Sequence, residues 1–343
     1  MKVTDMKEYL YNVLVFFGIL LFSFFAGELI IRIISANKFI YNIEMVKYAK
    51  QLKIRDPEGI VSHIHKKNTS AKLMGVEIAL NNLGNRGKDF TASSEANNRR
   101  ILVMGSSITM GWGVPSDSVF TSITERKLNT EKPLGNDIFF EIVNAGIGNY
   151  NSFYQYRRFL TQYPIVKPDA VVLHYFINDA ESNPRRNDNF FLKHSLLAAY
   201  FYDKINILKF SLDKSSNLVD YYGSLYRDYN QFWRDAQASI LKIRDICKED
   251  NVPFMIMIIP DFHNLSEDSP YKGHYRKIYE AFKNYDIPVI NCFTLFQKQF
   301  GNNEKILWIQ RDDPHPNEKG HAVMADILYT SIMELLGRNQ IPD

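Results

Sequence analysis

Two short segments carry side chains whose types and spacing suit acyl-transfer chemistry. The first is Val103-Met104-Gly105-Ser106-Ser107-Ile108-Thr109, where an apolar run ends in glycine and then serine. A serine just past a strand can sit on a tight turn with its hydroxyl exposed. The N-terminus of a following helix then offers backbone N–H groups to an anion. The second is Arg311-Asp312-Asp313-Pro314-His315-Pro316-Asn317. A nucleophilic serine needs a base, and histidine serves near neutral pH. An aspartate on the same loop, Asp312 three residues before His315, fixes the imidazole tautomer and stabilises its charged form. Pro314 and Pro316 restrict that loop. Ser107 is not followed by the second glycine of a G-x-S-x-G elbow, because Thr109 stands there. No Gly-Lys-Ser/Thr phosphate loop follows either.

Two further loops offer donors. Asn144-Ala145-Gly146-Ile147-Gly148-Asn149-Tyr150-Asn151 is a flexible turn with available backbone N–H groups, and Phe176-Ile177-Asn178-Asp179 places an amide side chain after another apolar run. A tetrahedral oxyanion needs preorganised donors of this kind.

These segments are positioned by a regular rhythm. Apolar runs at Ile101–Met104, Phe139–Val143, Ala170–Tyr175, Phe254–Ile259 and Pro288–Ile290 each end in a polar turn. Runs so uniformly apolar suit strands covered on both faces. Between them Phe232, Ala236, Ile240, Ile243 and Cys247 recur at helical spacing, as do Ala322, Ile327, Leu328, Ile332 and Leu335. Alternating strands and helices predict a parallel α/β sheet, with ligands beyond the carboxyl ends of its strands. The four polar clusters fall there. A short strand is expected at Val76–Leu80, before a turn-rich stretch. The long crossover from about 180 to 252 predicts an added helical cap around 181–230, with Tyr221, Tyr222, Tyr226, Tyr229 and Trp233 either packed or touching substrate.

In this order the four blocks resemble those of the SGNH (GDSL-like) hydrolase superfamily, over roughly residues 99–337. The resemblance implies a three-layer α/β/α, flavodoxin-like fold with a parallel sheet of about five strands. It implies Ser107 as nucleophile, His315 as base and Asp312 as its partner. The oxyanion hole would comprise the Ser107 N–H, the Asn149 N–H and the Asn178 side chain, with Gly148 the alternative in the second block. Three positions depart from the family pattern. Ser106 replaces the acidic residue before the nucleophile, Asn149 replaces a glycine, and Phe176 replaces the glycine of the third block. The implied activity is serine-dependent hydrolysis or transfer of an O-acyl, typically O-acetyl, ester on an envelope or exported glycan, with no metal or cofactor. A glycan-binding or assembly protein without catalysis, and a lipid esterase, are the alternatives.

At the N-terminus, Leu10 to Gly27 (LYNVLVFFGILLFSFFAG) is uncharged and nearly all apolar. With Glu28 and Arg32 at the interface, this reaches the ~20 residues a membrane-spanning helix needs. The expected organisation is an anchor over 1–35, a stalk and extension over 36–98, and the catalytic domain over 99–343. The resemblance places that domain outside the cytoplasmic membrane. The flanking charges lean the other way, since Arg32, Lys38, Lys47, Lys50 and Lys53 all follow the span.

The formal net charge of +3, with no basic run, gives no footprint for nucleic acid. Cys247 and Cys292 match no metal or CxxC spacing and read as small buried hydrophobes. His63-x-His65 lacks the further ligands of a metal site, His321 reads as a helix-surface residue, and His263 is a candidate substrate contact.

Overall fold

The computed structural model describes residues 3–92, 97–184, 189–212, 217–301, 303–311 and 313–338. Helix α1 (Val3–Asn37) and α2 (Tyr41–Gln51) come first. Two antiparallel pairs follow, β1 (Lys53–Ile54) with β2 (Ile64–His65), and β3 (Thr69–Leu73) with the expected β4 (Val76–Leu80). The central strands are β5 (Asn98–Met104), β6 (Phe139–Asn144), β7 (Ala170–Phe176), β8 (Phe254–Ile259) and β9 (Val289–Asn291). They form one parallel sheet in the order β6-β5-β7-β8-β9. All five lie on the runs marked out by hydrophobicity alone. The reason is visible in β8, every residue of which is buried. A strand covered on both faces must be apolar at every position, not at alternate ones.

The first three crossover helices are α3 (Ser107–Met110), α4 (Phe120–Glu131) and α5 (Ser152–Val166). The long crossover after β7 holds α6 (Phe190–His194), α7 (Leu196–Leu212), α8 (Leu218–Leu225) and α9 (Gln231–Glu249). The chain closes with α10 (Lys272–Lys283), α11 (Cys292–Phe300), an antiparallel ribbon of β10 (Trp308–Gln310) and β11 (Asp313–Pro316), and α12 (Glu318–Arg338). Taken as first to fifth, the central strands run 2-1-3-4-5. In such a sheet the crevice opens between the carboxyl ends of the first and third strands, here β5 and β7, where chain direction switches.

The chain divides into two compact units, Met1–Lys50 with Asn187–Lys214, and Gln51–Arg186 with Ser215–Asp343. This division differs from the expected organisation at two places. The extension from Gln51 onward groups with the sheet, and the middle of the 181–230 insertion groups with the N-terminal helices. Of the aromatic group in this region, Tyr221 and Tyr229 are exposed. Tyr226 and Trp233 are buried in the core of the larger unit, and the Tyr226 hydroxyl donates to the Ile177 carbonyl at 2.6 Å.

Within the first unit, α1 contains a segment long and apolar enough to cross a membrane, Met6–Asn37, almost none of it buried. Both cysteines are free and buried, as their surroundings in the sequence imply.

Candidate active site

Ser107 is the first residue of α3, directly beyond β5. The turn is tight. A Cβ on Gly105 would lie 1.9 Å from Thr109 Oγ1, and one on Gly146 would lie 2.5 Å from the Met110 nitrogen. Glycine at 105 lets the turn fold back on Thr109, and glycine at 146 lets the β6 loop close on the β5 loop. α3 is only four residues long and ends in Gly111 at a φ of 80°, in the left-handed region. Its end carbonyls are held by Arg86, a buried guanidinium that donates to Met110 O at 3.0 Å, to Gly111 O and to Val114 O at 2.5 Å. Burial lowers the Arg86 pKa to about 10.

The Ser107 hydroxyl meets His315 Nε2 at 2.6 Å. His315 Nδ1 meets Asp313 Oδ1 at 2.5 Å, and the same oxygen accepts the His315 backbone N–H at 2.9 Å. Asp313 Oδ2 accepts the Trp112 indole N–H at 3.2 Å. A carboxylate on Nδ1 assigns the proton there, so Nε2 faces the serine as an acceptor. Asp313 is fully buried and His315 nearly so, which keeps their contact out of water.

Among the described residues the carboxylate on Nδ1 is that of Asp313. Asp312, the partner expected from the sequence, lies outside the described residues. Strand geometry accounts for the Asp313 contact. β11 runs Asp313–Pro316, and in an extended strand residues i and i+2 share a face. Asp313 and His315 therefore point the same way.

The second block places Asn149 at a φ of 68°, a left-handed backbone that asparagine tolerates better than most residues. Among the described residues its N–H makes no hydrogen bond. The carbonyl of the same peptide, Gly148 O, accepts from Lys53 Nζ at 2.8 Å and from His63 Nε2 at 3.0 Å. Lys53 Nζ also donates to Asn149 Oδ1 at 2.8 Å. His63 is itself fixed, with Nδ1 2.8 Å from the Ser62 hydroxyl and its own carbonyl taking the Tyr150 hydroxyl at 2.7 Å. A trans peptide holds C=O and N–H antiparallel. A cation and an imidazole N–H on the oxygen end therefore fix the N–H end and deepen its dipole.

Asn178 follows β7, the strand beside β5, and is half-buried. Among the described residues its side-chain amide has no hydrogen-bond partner, so it stands available beyond the strand ends. The adjacent Asp179 is buried, accepts from Gln155 Nε2 at 2.9 Å, and is held well above the usual carboxylate range by that burial. Its carbonyl accepts the Ser152 N–H at 3.1 Å, which ties the loop to the start of α5.

The structure also places the other histidines. His63 and His65 both contact backbone carbonyls, Gly148 O and Gly84 O, and no group of three metal-binding side chains exists among the described residues. His321 is not on the surface. It is fully buried, stacked on Phe120, and its Nδ1 accepts the Phe120 N–H at 3.2 Å. It sits where α12 packs on α4, a contact that helical spacing alone does not reveal. His263 rests with its ring 4.2 Å from that of Trp308 in β10.

Lys53 and Arg86 were not singled out by the sequence reading. Both lie in the extension, far in sequence from what they hold, and neither belongs to a spaced motif. Lys53 stands among Lys47, Lys50 and Arg55, so nothing in the sequence marks it out.

The model for the GDSL-like lipase/acylhydrolase family matches residues 103–323, more than half of the chain. No curated protein matches the sequence. Among solved structures, one similar chain is a two-domain esterase active on acetylated mannans, at 16% identity and a TM-score of 0.42, covering 72% of this chain and 51% of that one. This chain thus spans about half of that esterase. An acetyl xylan esterase is similar at 17% identity and a TM-score of 0.42, covering 68% of this chain and 99% of its own. A lipase/acylhydrolase from Enterococcus faecalis is similar at 16% identity and a TM-score of 0.43, covering 68% and 95%.

Proposed function

Given that the chain belongs to the GDSL-like lipase/acylhydrolase family, we propose that it is a serine esterase acting on an O-acyl ester. Ser107, His315 and Asp313 form its triad. The observation that carries this reading is the unbroken contact from Asp313 through His315 to the Ser107 hydroxyl, with distances of 2.5 and 2.6 Å.

The mechanism follows from the parts. His315 Nε2 takes the Ser107 proton as Oγ attacks the ester carbonyl, and Asp313 stabilises the imidazolium formed. The oxyanion is met by the N–H groups of Ser107 and Asn149 and by the Asn178 side chain, aimed where charge develops. His315 returns the proton to the leaving alcohol, which departs and leaves an acyl-serine. His315 then deprotonates water, or a sugar hydroxyl in the transfer version, and the second tetrahedral species collapses to release Ser107.

The substrate class, an O-acetyl ester of an envelope or exported glycan, comes from the resemblance seen in the sequence blocks. Anchoring by α1 in the cytoplasmic membrane, with the larger unit outside, belongs to the same reading. The test compares acetate release from O-acetylated glycans with hydrolysis of phospholipid vesicles, using the full chain and Ser107→Ala. Ser107-dependent acetate release supports the reading. Turnover of phospholipid alone makes the protein a lipid esterase. Glycan binding without turnover of either substrate makes it a binding protein.

A further inference from the structure

The smaller unit contains an arrangement that the esterase reading does not use. The carboxylate of Glu28, near the end of the apolar stretch of α1, accepts the Ser195 hydroxyl at 2.8 Å, the Leu196 N–H at 3.2 Å and the Leu197 N–H at 3.0 Å. Arg32 pairs with the same carboxylate at 2.6 Å. Glu28 thus caps the N-terminus of α7, whose free N–H groups and dipole favour an anion. The Leu197 side chain packs where Gly27 leaves room, since a Cβ there would lie 3.0 Å from it. The start of α7 is fastened to α1 at residues 27 and 28.

Beyond that point α7 presents an apolar stripe. Phe201, Ile205, Leu208 and Leu212 are 54%, 48%, 57% and 71% exposed. At 100° per residue the four lie within an arc of about 60°. Lys204 and Lys209 border the stripe on either side, and Asp203 and Asn206 lie on the far face with Ile207, itself 49% exposed. Long basic side chains beside an apolar stripe place their stems along it and their heads in the headgroup region.

We infer that α7 is an interfacial helix, lying in the bilayer–water boundary with the Phe201–Leu212 stripe in lipid. The occupant is fixed by continuity with the anchor. Glu28 and Arg32 mark where the apolar part of α1 meets water, because charged groups settle at that level. The start of α7 is bound at that same level. Charges at 203, 204 and 209 keep α7 out of the hydrocarbon centre, while four exposed apolar side chains in one stripe draw it to the surface. The lysines suit anionic headgroups. The inference rests on α1 being a membrane anchor.

The test uses the full chain in vesicles of phosphatidylcholine and phosphatidylglycerol. Single cysteines at Ile205, Leu208, Asn206 and Phe16 carry an environment-sensitive maleimide fluorophore, the native Cys247 and Cys292 being buried. Quenching by nitroxide-labelled lipid is compared with quenching by iodide in the water. The expected result is that labels at 205, 208 and 16 lose most of their emission to the lipid quencher. The label at 206 responds to iodide instead. A label at 208 quenched only by iodide overturns the inference. So does one shielded from both quenchers, which would mean that protein covers the stripe. The Phe16 label separates the two readings. If it is lipid-quenched while 208 is not, the anchor stands and the interfacial helix fails. If neither is lipid-quenched, both fail.

Discussion

Lys53 is the most informative residue to perturb, because it lies outside every family block yet grips the peptide that presents an oxyanion donor. Lys53→Met removes the 2.8 Å contacts to Gly148 O and Asn149 Oδ1 while keeping a stem of similar volume. A hydrogen bond involving a charged group contributes about 1.5–3 kcal/mol. A whole oxyanion donor contributes about 10²–10³ in kcat. His63 still holds Gly148 O in the variant, so only part of that donor is lost. The expected cost is about 1.4–2.7 kcal/mol of transition-state stabilisation, or about 10- to 100-fold in kcat. KM should change little, because the charge develops only in the transition state. The assay is kcat and KM on a chromogenic acetyl ester, alongside the melting temperature. Lys53→Arg keeps the positive charge and should fall between wild type and Lys53→Met. A Lys53→Met enzyme with wild-type kcat refutes the reasoning. So does a loss confined to KM, or one that tracks a fall in melting temperature.

Three other outcomes follow from the geometry. Asp313→Asn removes the carboxylate from His315 Nδ1 and should lower kcat by about 10⁴. A kcat within about threefold of wild type, on the scale of 1.4 kcal/mol per tenfold, would contradict the assignment. Gly146→Ala brings a methyl 2.5 Å from the Met110 nitrogen and should destabilise by about 1–3 kcal/mol in urea unfolding, and an unchanged midpoint would show that the loops are not in contact. Acid should unfold the protein partly through His174 and His321, whose pKa values burial lowers from 6.5 to about 3. Above pH 6.5 both are neutral in either state. As pH falls from 6.5 toward 3 the unfolded chain takes up protons that the folded one refuses, so stability is lost across that window at about 1.4 kcal/mol per pH unit for each histidine. Replacing both with glutamine should flatten the pH dependence of the urea midpoint, and an unchanged slope would contradict the burial argument.

The sheet was legible because a parallel strand covered on both faces leaves a local mark. Ile256, Met257 and Ile258 are apolar for the same reason that they are buried. Ser107 and His315 were legible because each stands in a short block with constrained neighbours. What could not be read were contacts between distant segments. The partner of His315 depends on where β11 begins, and a shift of one residue reverses which side chains share its face. Lys53 and Arg86 act on loops far along the chain, and His321 turns inward because α12 meets α4. The pairing of α7 with Glu28 spans 167 residues and leaves no periodic trace.

The central claim is that Ser107 is a nucleophile activated by His315. Its most direct test is reaction of the full chain with a fluorophosphonate, with the adduct mapped by peptide mass spectrometry in wild type and in His315→Ala. The account predicts a single adduct on Ser107 that disappears in the variant. Absence of an adduct on folded wild-type protein, or labelling of Ser107 that survives loss of His315, would contradict it.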